Sequence, residues 1–363
     1  MTNDISQSSK PQFREATNLL RGICAFSVLL WHYQHFFLTS ESSIYILNEQ
    51  PFFNIFSIPY TMGSIGVPIF WCISGLILSH SYSSTSRQTL RRFIIDRFSR
   101  LYPLHLITLI VVGILQFFSF HKVGDFLIYS NNDLHHFLLN LLFIQSWGFE
   151  NGRSFNAPSW SVSTEILVYL VFFATLAFLK RFKLFGSLTI LLICQFGPQL
   201  VPIIFKYLFF YQCLVFFMFG VCIYYLASIR FKFSTSIGVL IALCLILWAQ
   251  TESQTSDYLL VASLVAFAAF CDQIRVSQRL KPLRRFGDLS YSVFLWHVPI
   301  QITTKLVQAK YSIDNSIAYN KLFFIFFITL TYFVGYISYR FIEQPAQRLI
   351  RMRFAHHIID HNG

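Results

Sequence analysis

Residues Asn18–Phe37, NLLRGICAFSVLLWHYQHFF, set the reading of the whole chain. The stretch is apolar over the roughly 20 residues that a bilayer-spanning helix needs. Yet it carries Arg21, His32 and His35. Ionisable side chains are costly in hydrocarbon, so inside a spanning helix they point to a task or to a polar partner. Arg21 and His32 stand eleven positions apart. On a continuous α-helix that is about 16 Å of rise and about 20° of rotation. The spacing predicts one shared face, with Arg21 at the inner interface and His32 deep in the membrane.

Composition agrees. Of 363 residues, 55% are hydrophobic, 12% are charged and 43 are Phe, and mean hydropathy is +0.55. Soluble domains carry about 25% charged residues. The expected fold class is therefore all-α, a polytopic membrane bundle. A net charge of +12 would fit nucleic acid, but basic residues at helix ends are orientation signals, and no nucleic-acid partner is expected. The seven cysteines include no CxxC pair and lie in or beside apolar runs, as small buried hydrophobes do. The first apolar segment is long, and it reads as an uncleaved helix rather than a signal peptide.

Ten spans are expected, near 18–39, 63–81, 101–120, 162–179, 184–203, 207–227, 234–250, 258–273, 289–307 and 322–342. Leu134–Trp147 is too short to span and carries His135, His136 and Asn140, so it reads as interfacial or re-entrant. With the N-terminus inside, 22 of the 28 Lys and Arg residues fall on the inner side. That excess places both termini in the cytoplasm. Residues 1–17 would be a cytoplasmic segment, 18–345 the membrane domain and 346–363 a cytoplasmic tail.

Four places break the apolar pattern. The first is the Arg21/His32 face. Imidazole titrates near operating pH, which suits general-base work. The plainer reading of His32 is a core histidine satisfied by a neighbouring helix, and His35 is read as a relay or a structural residue. The second is GSIGVPIFWCISG, residues 63–75, whose glycines allow close helix approach or line a site. The third is RQTLRRFIIDRFSRLYP, residues 87–103, where Arg97 and Arg100 share a helix face. Guanidinium forks suit phosphate, although a positive-inside cluster without a ligand would look the same. The fourth is APSWSVSTEILVY, residues 157–169, holding Ser159, Trp160 and Glu165, the one acid of that span. Its carboxylate has a task or reaches to the outer interface. His297, in SYSVFLWHVPI, is a core histidine or a further polar group of a cavity. Arg340 and Glu343 are expected to pair with each other or a neighbour. The tail histidines 356, 357 and 361 lack companions at ligand spacing, so no metal is expected.

Taken together, the segments resemble the acyltransferase 3 family of integral membrane acyltransferases. NLLRGICAFSVLLWH resembles its opening Arg–ten residues–His motif, on Arg21 and His32. GVPIFWCISG resembles its second-helix glycine stretch, and DRFSRLYPLH its Arg-x-x-Arg motif, on Arg97 and Arg100. PSWSVSTE resembles its Pro-Ser-Trp-Ser element ending in an acid, on Trp160 and Glu165. YSVFLWHVPI and YRFIEQPAQR resemble its closing motifs. Asn18 departs from a frequent Asp, and Ile166 from a frequent second acid.

The resemblance implies O-acyl transfer from cytoplasmic acyl-CoA, chiefly acetyl-CoA, to a hydroxyl of a saccharide or lipid-linked saccharide. Such acceptors include lipopolysaccharide O-antigen, exopolysaccharide and nodulation factors. It implies acyl-CoA as substrate rather than a bound cofactor, contact with membrane lipids, and a bacterial inner membrane. A chain ending soon after its last span implies the stand-alone kind of member. His32 would be general base or acyl carrier, with Glu165 orienting it or binding the acceptor. Arg21, Arg97 and Arg100 would hold the donor's phosphates. His35, Ser159, Trp160 and His297 would line the cavity or the acceptor side. The rival reading is a transporter or flippase of a lipid-linked saccharide, which would favour internal repeats; none is visible.

Overall fold

The computed structural model describes residues 15–37, 47–83, 89–200, 208–228, 254–274 and 276–359. Every regular element among them is helical. The principal helices are α1 (Glu15–Trp31), α2 (Phe53–Met62), α3 (Gly66–Tyr82), α4 (Leu90–Val123), α5 (Leu134–Leu141), α6 (Trp160–Leu200), α7 (Leu208–Ala227), α8 (Gln254–Gln273), α9 (Ser290–Lys310), α10 (Lys321–Ser338) and α11 (Gln344–Ile359).

Five helical runs among the described residues are long and apolar enough to cross a membrane. A sixth joins them if the bent pair Asp257–Gln273 and Ser277–Lys310 counts as one span. This is fewer than the ten read from the sequence, for identifiable reasons. The span expected near 234–250 lies outside the described residues. The spans expected at 162–179 and 184–203 count as one apolar run, Ala157–Cys194, although α6 breaks at Lys183 (φ 49°) into two helical pieces, and residues 201–203 lie outside the described residues. α1 ends at Trp31 and continues as a 3-10 turn over His32–Phe36, so the straight helix predicted from Arg21 through His32 stops one residue short. The tenth span passes through a π-turn, Tyr339–Glu343, straight into α11, so residues 346–359 are helical. α5 is only eight residues long, as a non-spanning piece should be.

The chain divides into two compact units, residues 1–23, 67–86 and 174–288 in one, residues 24–66, 87–173 and 289–363 in the other. In the first, Asp272 caps the start of α1. Its carboxylate accepts the backbone N–H groups of Glu15 (3.0 Å), Ala16 (2.8 Å) and Thr17 (3.1 Å), and the Thr17 hydroxyl (2.7 Å). A helix start leaves such N–H groups without partners, and a carboxylate also complements the positive end of the dipole. Gly75 of α3 lies on the Phe217 carbonyl of α7, and Gly220 of α7 lies on the Cys72 carbonyl of α3. A Cβ at either position would collide with backbone. In lipid, helices gain little from mutual hydrophobicity, so backbone-to-backbone packing of this kind holds them together.

In the second unit α9 packs against α4 and α10, and α11 against α4. Leu29, Leu30, Tyr33 and Phe36 form its core with Val293, Ile300, Phe324 and Phe327. Gly63 sits on the Ser27 carbonyl, and Gly66 against Val28 and Cys24, so these two glycines of the second motif serve packing. The buried face of α4 mixes Ser99, His105, Thr108, Gln116 and Ser119 with Phe93, Leu101, Leu104, Leu109 and Val112, while Ile110, Ile114, Phe117 and Phe118 are exposed. Lipid as the surrounding solvent accounts for so apolar an exposed face. Cys24, Cys72, Cys194, Cys213 and Cys222 are buried, as small apolar side chains are.

Candidate active site

The site grows from the point where α1 tightens. His32 is the first residue of the 3-10 turn, and its ring Nδ1 lies 2.9 Å from the Val28 carbonyl. A carbonyl only accepts, so Nδ1 carries the proton and Nε2 keeps its lone pair. Tightening the helix changes which backbone carbonyls find partners within it. α9 supplies partners for them. Gln301 Nε2 donates to the His32 carbonyl at 2.8 Å. Lys305 Nζ donates to the carbonyls of His35 (2.7 Å) and Phe36 (3.4 Å). The other end of Gln301 receives His35, whose Nδ1 is 3.2 Å from Oε1.

His297, Gln301 and Lys305 lie at successive four-residue steps, so they form one stripe on α9. His297 is fully buried, its ring centroid 4.9 Å from that of His32, and the His35 ring lies 5.0 Å from His32. Neither nitrogen of His297 makes a hydrogen bond of good geometry, although the backbone of Phe294 and Val293 lies beside the ring. Three imidazoles, an amide and an amine thus converge in one buried place. Gln301 and Lys305 were missed in the sequence. Their signal was a strongly polar residue every fourth position along HVPIQITTK, residues 297–305.

A second polar group lies along α4 and the start of α9. Arg97 stands 5.9 Å over the ring of Tyr169. Its Nε is buried with no acceptor in reach among the described residues. The Tyr291 hydroxyl donates to the Leu101 carbonyl at 2.7 Å and lies within electrostatic reach of Glu343, Arg100, Glu165 and Tyr169. Glu343 accepts from Ser292 at 2.8 Å, and Asp96 pairs with Arg351 at 3.2 Å. Glu165 is buried in this group. The bond that orients the His32 ring goes to Val28. A cavity of about 420 Å³ opens beside Arg97, walled by Leu101, Tyr102, Phe143, Trp147 and Tyr169.

The segment between α5 and α6 forms a third group. Arg153 stacks 4.2 Å over Trp160 and lies 3.6 Å from Glu150. Burial pushes the Glu150 carboxyl up to about 7 against the pull of Arg153. Ser159 is buried and accepts from Gln145 at 2.9 Å, a bond that fixes the turn into α6. The Tyr129 hydroxyl, from the segment before α5, lies 3.5 Å from His35 Nε2. Arg21 lies in the part of α1 that belongs to the first unit. No group of His, Cys, Asp and Glu among the described residues has the form of a metal site.

Long apolar helices with polar side chains turned inward, and a buried cluster of imidazoles, define a helical membrane protein with the makings of acid–base chemistry. The sequence profile of the acyltransferase 3 family, an acyltransferase domain, matches residues 14–340, and the chain belongs to that family. Among curated proteins, acyltransferase MdmB of Streptomyces mycarofaciens is 33% identical over 114 residues, covering 31% of this chain and 28% of that protein. Peptidoglycan O-acetyltransferase OatA of Listeria monocytogenes is 25% identical over 340 residues, covering 79% of this chain and 51% of that protein. The chain thus spans about half or less of the length of these relatives. No solved structure gives a significant match.

Proposed function

We propose that this protein is a membrane O-acyltransferase that moves an acyl group, acetyl in the first instance, from cytoplasmic acyl-CoA to a saccharide hydroxyl. The observation that carries the reading is the His32 ring, held by Val28 so that a bare Nε2 sits inside a buried polar cluster. Nε2 takes the proton of the acceptor hydroxyl as its oxygen attacks the thioester carbonyl. The C–O ester bond forms, the C–S bond breaks, and the proton passes to the departing thiolate. Arg97 and Arg100 bind the donor's phosphates through charge-assisted forks. A guanidinium with a buried open donor beside a cavity supports that assignment for Arg97.

The acceptor is a cell-envelope glycan or its lipid-linked precursor. OatA, by its name an O-acetyltransferase of peptidoglycan, favours this class. Trp160, Ser159 and His35 lie on the acceptor side in this reading, and Glu165 supports the site from within. The basic-residue asymmetry supports ten spans with both termini in the cytoplasm, and the family resemblance and bacterial relatives support a bacterial inner membrane. The test is proton NMR of surface glycan from cells carrying the wild type, His32→Ala, or neither. An O-acetyl signal present with the wild type alone is the expected result. Equal signals in all three would overturn the assignment, and loss of the glycan itself without the protein would favour transport.

A further inference from the structure

We infer that Gln301 is a positioning residue that sets both histidines of the 3-10 turn, fixing the backbone at His32 and the tautomer at His35. The inference rests on the proposed acyl transfer for its kinetic consequences, but not for its geometry.

The orientation of the Gln301 amide follows from its partners. The His32 carbonyl only accepts, so the NH₂ end faces it at 2.8 Å. The amide oxygen then faces His35 Nδ1 at 3.2 Å, which makes that nitrogen the protonated one. His35 is left with a bare Nε2, and the Tyr129 hydroxyl approaches it at 3.5 Å. His32 is fixed in the same tautomer by Val28. One fully buried side chain thus ties the two residues of the turn together through one backbone group and one ring. Lys305, one helical turn further along α9, donates to the backbone carbonyls of His35 and Phe36. Other titratable groups facing this pair are His297 and Lys305 on α9 and Tyr129 before α5.

Gln301→Leu removes both bonds at similar volume. Misplacing a reacting group by about 1 Å can cost about a hundredfold in rate. Gln301→Leu is therefore expected to lower kcat at least tenfold (order of magnitude) while the donor's KM stays within about twofold. Gln301→Glu keeps the acceptor for His35, loses the donor to His32 and adds a carboxylate. A neighbouring carboxylate stabilises imidazolium, so the acid limb of the kcat–pH profile should move up by about one unit. That shift checks only that position 301 lies beside the titrating histidine; the kcat-against-KM split in Gln301→Leu and the tautomer readout separate positioning from packing. Wild-type kcat in Gln301→Leu, or equal losses in both variants with an unshifted acid limb, would overturn the inference.

A second readout does not depend on activity. Nitrogen-15 NMR of histidine-labelled protein, with His35 assigned from a His35→Gln sample, should show Nδ1–H in the wild type and a mixture of tautomers in Gln301→Leu. The same tautomer in both would overturn the clasp. If the wild type transfers no acyl group, the proposed function falls and this readout alone decides the role of Gln301.

Discussion

His297 faces His32 across the meeting of α1 and α9, ring centroids 4.9 Å apart and planes tilted by 36°. The residues are distant in sequence, and nothing local to either helix brings them together. Packing of Leu29, Leu30, Tyr33 and Phe36 against Val293 and Ile300 sets the register between the two helices. The hydroxyl of Tyr33, donating to the Ala318 carbonyl at 2.8 Å, pins the turn to the segment before α10.

His32→Ala should abolish transfer while the protein still inserts in the membrane. General acid–base groups typically contribute about 10²–10⁴-fold to rate. The check is acyl-CoA consumption by purified protein at matched amounts of folded variant. Activity within a fewfold of the wild type would remove His32 from the chemistry.

Arg97→Ala should mainly raise the donor's KM. A hydrogen bond to a charged group contributes about 1.5–3 kcal/mol, so the rise should be tenfold or more, order of magnitude. Arg97→Lys should rescue only in part, because lysine cannot present the planar fork. A defect confined to the acceptor's KM would contradict the donor assignment.

Asn18→Asp should destabilise the first unit. The Asn18 amide donates to the Arg284 carbonyl and to Asp288, both at 2.9 Å. A carboxylate cannot donate to either and would face Asp288 with like charge. The expected cost is about 1–3 kcal/mol, read as a lower Tm in detergent. An unchanged Tm would mean that Arg284 re-pairs at no cost.

Gly220→Val should disrupt the contact of α3 with α7, because its Cβ would collide with the Cys72 carbonyl. Overpacking of this kind costs about 1–3 kcal/mol or more. Gly124→Ala makes a useful contrast. No described residue surrounds that position, and its left-handed φ of 84° opposes a side chain. Comparing the two by thermal unfolding separates collision from backbone strain, and equal losses would deny the collision.

Glu150 gives a pH dependence with a definite sign. Its carboxyl is raised from 4.5 to about 7 by burial, so the folded state favours the protonated form. Stability should therefore fall as pH rises from about 4.5 through about 7. Glu150→Gln should flatten that fall. Thermal unfolding at pH 5 and pH 8 measures it, and an equal fall in the variant would assign the effect to another group.

Much was legible in the chain as written. Lipid imposes a crude and strong rule: hydrocarbon tolerates long apolar helices, and an ionisable group inside one stands out. That rule exposed the all-helical membrane character and drew attention to His32, His35, His297, Arg97, Arg100 and Glu165. That Leu134–Trp147 does not span was also foreseen from its length, and the helix there runs only over Leu134–Leu141. Tertiary structure decided how these residues group. The end of α1 at Trp31 depends on bonds from Gln301 and Lys305, which a straight-helix projection from Arg21 does not contain. Asp96 finds Arg351, far along the chain, and Glu165 lies within reach of Tyr291. Helical periodicity fixes which residues share a face of one helix. Which face meets which is set by side-chain volume and backbone approach between helices, and that information is not local to any stretch of sequence.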